Sequence, residues 1–312
     1  MELPMLPSHS AELEGLLDGL AEGLLRYAPE DGSFPLPASG AHVYRNSRSE
    51  TEVRPTLYEP VVCLVAQGAK AVFYGQEVVR YDPTHVLVSA LDLPLKAQVL
   101  EASPKRPFLC LKLVLDPVEL ADLAAKVYPE GLFPAAARPV FAGAATPALI
   151  EAALRFLKAL GDPKDQKLLA PLYRQEMLIR LLQANPVLAQ LSLLDPYLHR
   201  IARAIDHIRA HFREPLDVET LARLTHLGKS AFYHHFKRLT SLTPLQYQKA
   251  LRLQEARRLL LKGFSVTQVA REVGYTSPSQ FVRDYHHFFG AAPSRDIARL
   301  RTQGGLVLSE AG

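Results

Sequence analysis

No stretch of about 18 consecutive apolar residues, the length a bilayer-crossing helix needs, occurs anywhere in the chain. The opening decapeptide MELPMLPSHS has neither the basic start nor the apolar core of a secretory signal. Both absences predict a soluble, cytoplasmic protein without a membrane partner. Cysteine is scarce too. Cys63 and Cys110 are the only two, each within an apolar, strand-like run, which excludes a disulfide framework and a repeated-Cys zinc site. Enzyme signatures are missing as well: there is no Gly-rich phosphate loop and no G-x-S-x-G nucleophile elbow. Of the 11 histidines only His42 and His85 fall in the strand-rich region, far apart, whereas three or four converging ligands are needed to hold a catalytic metal. No catalytic residue, metal or cofactor is therefore expected.

What is present starts with size. At 312 residues the chain exceeds the roughly 100–200 residues usual for one domain, so two are expected. Its 48% apolar and 22% charged composition is that of a globular protein rather than a disordered one. The net charge of +4 hides a division. Residues 196–312 hold 18 Lys and Arg against 9 Asp and Glu, a balance of +9, which leaves 18 against 23, or −5, for residues 1–195. Eight of the 11 histidines also lie in the later part. A basic half joined to an acidic half predicts that only the C-terminal portion meets a polyanion.

Periodicity then divides the chain. AELEGLLDGLAEGLLR, residues 11–26, repeats leucine at helical spacing and predicts a short helix, ended by the Pro-rich PEDGSFPLP. From about 42 to 115, apolar or alternating runs such as VVCLVA, AVFYG, HVLVSA and FLCLKLVL are separated by turn residues, the pattern of an antiparallel sandwich or small barrel. Helical period returns in TPALIEAALRFLKAL (146–160) and QKLLAPLYRQEMLIRLLQ (166–183). Their apolar faces need cover, from the chain's own barrel or from a partner subunit. Asn185-Pro186 to Asp195-Pro196 marks a boundary, and the remainder reads as all helical.

That remainder contains one unit twice. LARLTHLGKSAFYHHFKRLTSLTP (221–244) and VAREVGYTSPSQFVRDYHHFFGAAP (269–293) each predict helix, short turn, helix. Ala222 and Ala270 are small enough for two helices to cross closely, and Gly228 and Gly274 relieve the backbone at the turn. Caps are expected at Lys229-Ser230 and at Thr276-Ser277, the latter followed by Pro278 in the first turn. Phe232 with Phe236, and Phe281 with Tyr285, are spaced four apart and anchor the core, which turns Ser230, Tyr233, His234 and Lys237 outward. Zinc at His234 and His235 is disfavoured because adjacent helix residues do not share a face. Solvated helix residues and groove readers stay open as alternatives. Between the units, LQYQKALRLQEARRLLLKG (245–263) predicts one helix of roughly 27 Å, against about 34 Å between successive major-groove faces.

Residues 196–297 resemble the DNA-binding domain of the AraC/XylS family of transcriptional regulators, on SAFYHHFKRLTSLTPLQYQKALRLQEARRLLL and on the G-Y-x-S-x-S-x-F-x-R pattern of 274–283. LYEPVVCLVAQGAKAVFYGQEVVRYDP (57–83) and HVLVSALDLPLKAQVLEASPKRPFLCLKLVLDP (85–117) are similar to that family's N-terminal regulatory domain, a cupin-like barrel. The resemblance implies an α+β chain: an N-terminal helix and arm (1–40), an antiparallel cupin-like effector barrel (41–145), a helical connector used for dimerisation (146–194), an all-α domain with two helix-turn-helix motifs (195–300) and a tail (301–312). It implies double-stranded DNA, RNA polymerase, a small-molecule effector and a second copy of the chain as partners. The family's groove-facing positions fall on Ser230, Tyr233 and His234, and on Pro278, Ser279, Val282 and Arg283. Two departures stand out: His234 replaces the common arginine and His286 the common lysine or arginine, which leaves the first helix's base preference open.

Chemistry sorts these residues further. Arg283 can fork onto guanine O6 and N7, whereas Val282 and Pro278 offer only apolar contact. Lys229, Lys237, Arg238 and Ser277 suit phosphates, which fix register without reading sequence. For the effector, Cys63 and Cys110 are candidates, although a cysteine in an apolar strand is also plain core filling. Alternation places Cys110 on one face with Lys112, a residue suited to an anion if that face is inward. Tyr44, Arg45, Arg48 and Tyr58 are further candidates near the barrel's beginning. Two other readings remain, a constitutive regulator whose barrel only dimerises and a cupin-type enzyme tethered to DNA; inward histidines would mark the second.

Overall fold

Alternating side chains in VVCLVAQ and FLCLKLV give the barrel its two layers. The computed structural model describes residues 11–37, 40–132, 138–195 and 197–302; the first ten residues, Pro196 and the tail from 303 lie outside them. In chain order the first half runs α1 (Ala11–Leu25), β1 (Gly32–Pro35), β2 (Ala41–Asn46), β3 (Arg54–Tyr58), β4 (Val61–Gln67), β5 (Ala69–Tyr74), β6 (Glu77–Tyr81), β7 (His85–Ser89), β8 (Leu93–Glu101), β9 (Phe108–Val114), α2 (Pro117–Val127), β10 (Val140–Ala144), α3 (Pro147–Ala159), α4 (Pro163–Leu168), α5 (Ala170–Ala184) and α6 (Pro186–Leu194). The second half is α7 (Leu198–Ala210), α8 (Val218–Leu224), α9 (Lys229–Thr240), α10 (Pro244–Leu261), α11 (Val266–Glu272), α12 (Pro278–Phe289) and α13 (Pro293–Thr302).

The strands form two antiparallel sheets, a six-stranded β1-β2-β9-β4-β7-β10 and a four-stranded β3-β8-β5-β6. On β4, Val62, Leu64 and Ala66 face outward beneath the helices, while Cys63 and Val65 face the space between the sheets. β9 does the same with Leu109, Leu111 and Leu113 outward, Phe108 and Cys110 inward. Because both faces are covered, both strands are apolar along almost their whole length. α1 closes the outer face with Leu20 and Leu24, both fully buried, each contributing roughly 1.5–3 kcal/mol.

The connector helices pack on this same outer face: Ile150, Phe156, Met177, Leu181 and Leu188 share one core with β4 and β9. Within the chain they pack chiefly on one another and on α1 and α2. The chain departs from the sequence expectation in three ways. The single helix read over 166–183 is broken into α4 and α5, because Pro171 in the first turn of α5 has no N–H and its ring crowds the preceding turn. The segment read as a boundary, 185–195, is mostly α6, started by Pro186 at a position where the missing N–H is not needed. β1, β3 and β10, short and carrying Gly or Pro, complete the sheets where no strand was expected.

The helical half has two cores. Phe232, Phe236 and Tyr247 belong to a cluster continuous with the barrel interior through Leu191, Leu198 and Ile201. Phe281 and Tyr285 belong to a separate one with Leu253, Ala256, Val269 and Ile297. α10 runs through both.

Candidate nucleic-acid interface and barrel cavity

Each repeat folds as helix, turn, helix, but the turns differ from the expected pairing of glycines. Gly274 has φ +84°, and a Cβ there would lie 2.1 Å from the Arg213 carbonyl oxygen, so only glycine fits. Gly228, its expected counterpart, has an ordinary φ of −69° and acts as N-cap of α9 without a side-chain bond. The left-handed residue of the first turn is His226, at φ 51°. The cap expected at Lys229-Ser230 is thus absent, since both are already inside the helix. In the second unit Ser277 caps α12, its Oγ accepting from the Gln280 N–H at 3.3 Å, with Pro278 following.

The outer face of α9 carries Lys229, Ser230, Tyr233, His234, Lys237 and Arg238, all exposed. Two of these cations are already paired: Lys229 with Glu219, and Arg238 with Asp195 at 3.0 Å. The partner carboxylate raises the Lys229 pKa, so the ammonium keeps its charge. On α12, Ser277, Pro278, Ser279 and Arg283 are exposed and Val282 is half-buried. His235 turns the other way and stacks on Tyr197, ring centroids 3.5 Å apart. Burial lowers its pKa, with Arg238 and His234 adding to the effect.

Not every arginine of the basic half is available to a polyanion. Arg257 is buried against Asp296, two bonds of 2.9 and 3.0 Å, with the Tyr285 hydroxyl donating to the same carboxylate at 2.8 Å. Arg252 donates to the carbonyls of Phe212, Gly274, Arg213 and Glu214, tying α10 to the loop between α7 and α8 and to the turn at Gly274. The Arg257–Asp296 pair cancels within the count of +9, and Arg252 is the arginine by which that count overstates the charge presented to solvent.

In the barrel, the sheets enclose a cavity lined by Tyr44, Tyr58, Cys63, Lys70, Cys110 and Lys112, among others. It brings together five of the seven effector candidates. Arg45 is not among them: alternation on β2 turns Tyr44 inward and Arg45 outward, where it donates to the carbonyls of Ala28 and Pro29 at 3.0 and 2.8 Å. Arg48 is exposed beyond β2. The open volume is about 10 Å³, roughly one water. Lys70 lies over the Tyr44 ring, 4.6 Å from its centroid, and 5.7 Å from that of Tyr58. Burial pushes the Cys110 thiol well above its ordinary value, and contact with Cys63 adds to that; the neutral Cys110 thiol is a poor nucleophile. A larger surface cleft of about 720 Å³ lies between β9 and α5, but its Arg174 is taken up by Glu119 and the Val114 carbonyl. Among the described residues no three His, Cys, Asp or Glu side chains gather as a metal site, and no helix is long and apolar enough to cross a membrane.

A family model for the N-terminus of AraC-type transcriptional regulators matches residues 37–186, and one for a helix-turn-helix domain matches residues 221–299. The chain belongs to the AraC-type transcriptional regulators. It is 32% identical over 107 residues to the probable thc operon regulatory protein of Rhodococcus erythropolis, covering 33% of the chain and 32% of that protein. With the MmsAB operon regulatory protein of Pseudomonas aeruginosa it shares 32% over 136 residues, covering 42% and 44%. The matches thus span about a third to less than half of these curated relatives. In fold the chain is similar to ToxT of Vibrio cholerae, with a TM-score of 0.55 at 10% identity over 83% of this chain and 97% of that one.

Several residues of this AraC-type chain that sit at the candidate sites were not singled out by the sequence. Lys70 interrupts the apolar run of β5 in phase with Val72 and Tyr74, and that phase was the available signal. Gln280 and Asp284 look like ordinary polar helix residues; nothing in the spacing marks them.

Proposed function

We propose that this AraC-type chain binds double-stranded DNA sequence-specifically and regulates transcription, with α9 and α12 entering neighbouring major grooves of one duplex. The observation that carries this reading is that both helices expose the same outer positions, Lys229, Ser230 and His234 on one, Pro278, Ser279 and Arg283 on the other, while paired aromatics hold each from behind. α10, 18 residues and so roughly 27 Å long, lies between them, a length close to one turn of B-form DNA. Arg283 is read as the guanine contact, Val282 and Pro278 as apolar contacts, and Lys229, Lys237, Arg238 and Ser277 as phosphate contacts. Such a protein works in the cytoplasm, engages RNA polymerase and has no catalytic role.

The barrel is read as the effector domain. A V. cholerae ToxT structure is described as bound to an unsaturated fatty acid, which supports a ligand-holding role for this fold. Here Tyr44, Tyr58, Cys63, Lys70, Cys110 and Lys112 are the residues an effector meets, and a cavity of about 10 Å³ must open to admit one. β3 contributes Thr56, Leu57 and Tyr58 to that cavity and also touches α10 and α12. An effector that displaces β3 therefore moves the reading helices. A second copy of the chain is expected on α4 and α5, where Leu168 and Leu172 are 71% and 58% exposed.

The test is selection from a random duplex pool with the intact chain. A recovered sequence motif whose affinity falls steeply with salt is the expected result. Equal affinity for all duplexes would end the reading.

A further inference from the structure

Arg283 does not stand alone on α12. Its Nη2 donates to Gln280 Oε1 at 2.7 Å, and Gln280 Nε2 donates to Asp284 Oδ1 at 3.0 Å. Asp284 is in turn held from the protein side, by Lys249 of α10 at 2.8 Å and by the Tyr275 hydroxyl at 3.2 Å. Burial pushes the Asp284 carboxyl up, but bonds from Lys249, Gln280 and Tyr275 outweigh it and keep the group below the ordinary carboxylate value. An ionised carboxylate only accepts and a guanidinium only donates, so the amide between them has one orientation, oxygen toward Arg283 and nitrogen toward Asp284. With one donor of Arg283 spent this way, four remain for a base edge.

The first repeat has no such chain. At the repeat offset, the places of Gln280, Arg283 and Asp284 are taken by Ala231, His234 and His235, and His235 is stacked on Tyr197 instead. The second reading helix alone carries a carboxylate-amide-guanidinium relay anchored on α10.

We infer that Gln280, fixed by Asp284, is a specificity-determining positioning residue: it holds the Arg283 guanidinium in the plane of a guanine, so discrimination at that base pair rests on the relay and not on Arg283 alone. A long, otherwise free side chain loses much rotamer entropy on forming a fork, and restraining it beforehand lowers that loss for the matching base. This rests on the DNA-binding reading above.

The experiment is selection from a random duplex pool by the intact chain as wild type, Arg283→Ala, Gln280→Ala, Asp284→Ala and Asp284→Asn. Arg283→Ala identifies the base pair. Gln280→Ala and Asp284→Ala should lower guanine preference at that same pair by roughly 3- to 10-fold, part of the roughly 5- to 150-fold that a bidentate contact provides. Asp284→Asn, which keeps an acceptor for the Gln280 amide, should retain most of it, and the salt slope should not change, because no phosphate contact is lost. A pool left unaltered by Gln280→Ala, or altered at a different base pair, overturns the relay. If the wild type enriches no sequence, the DNA-binding reading itself falls; if it does and Gln280→Ala matches it, only the relay falls. Gln280 is exposed, so its replacement leaves the thermal midpoint in place, and Asp284→Asn supplies an independent arm.

Discussion

Arg283 and Lys237 are both exposed cations on reading helices, yet their surroundings differ. Arg283 is held within its own helix, whereas Lys237 projects from the last turn of α9. A positioned guanidinium reads a base and a mobile ammonium neutralises a phosphate. Arg283→Ala is therefore expected to lower affinity for the cognate site more than for random duplex, while Lys237→Ala weakens both alike and flattens the salt slope by about one. Binding titrations at several salt concentrations distinguish the two, and the reverse pattern would show the contacts to be sorted wrongly. The two turn glycines make a second contrast. Gly274→Ala places a methyl against the Arg213 carbonyl at φ +84°, whereas Gly228→Ala meets nothing within 4 Å at an ordinary φ. The first should destabilise by more than about 2 kcal/mol and the second by less than about 1, as read by chemical denaturation.

At the scale of elements, α10 is the beam on which both reading units are mounted, and the Arg257–Asp296 pair fixes its far end. Both side chains are buried, 5% and 0% exposed, so removing one leaves a charge with an incomplete shell. Arg257→Ala is expected to cost roughly 3–5 kcal/mol, and hydrogen exchange should rise in α11 to α13 while the barrel amides keep their protection. This pair also marks a limit of sequence reading, because a buried arginine is written like a solvated one: Arg257 sits beside Arg258, which pairs on the surface with Glu255. The aromatic anchors were legible because spacing within one helix is local, and so were the main strands and the repeat. Alternation named two faces of β2 without saying which was inward, so Tyr44 and Arg45 were indistinguishable until the second sheet was in place. β1 and β10 are short edge strands whose pairing depends on distant partners, and the relay on α12 depends on Lys249 from another helix.

In the whole molecule, the first reading unit is docked on the barrel. The Tyr74 hydroxyl at the end of β5 faces the Arg238 and Leu239 carbonyls of α9 at 3.2 and 3.1 Å, and Tyr247 of α10 donates to the Asp92 carbonyl at 2.8 Å. Lys70, in the cavity, shares the strand and face of Tyr74, so a change at the cavity has a route along β5 and through the Tyr74 hydrogen bonds to the last turn of α9. Tyr74→Phe should raise hydrogen exchange in that turn while cavity-lining strands stay protected; unchanged exchange would remove this route. Asp92 adds a pH dependence to the same junction. Burial raises its pKa from 3.8 to about 6, opposing Arg209, while Asp206 and Glu59 push in the same direction as burial. A carboxyl whose folded pKa is raised favours folding while protonated, so its contribution is present below about pH 4 and is lost as pH rises through about 6. In Asp92→Asn nothing titrates at this position. Relative to that variant, the wild type should lose up to roughly 3 kcal/mol between those two pH values and nothing further above them. Paired denaturation curves from pH 4 to 8 measure the difference. If it grew in favour of the wild type as pH rose, the ion pair with Arg209 would outweigh burial, and the junction would tighten on ionisation rather than loosen.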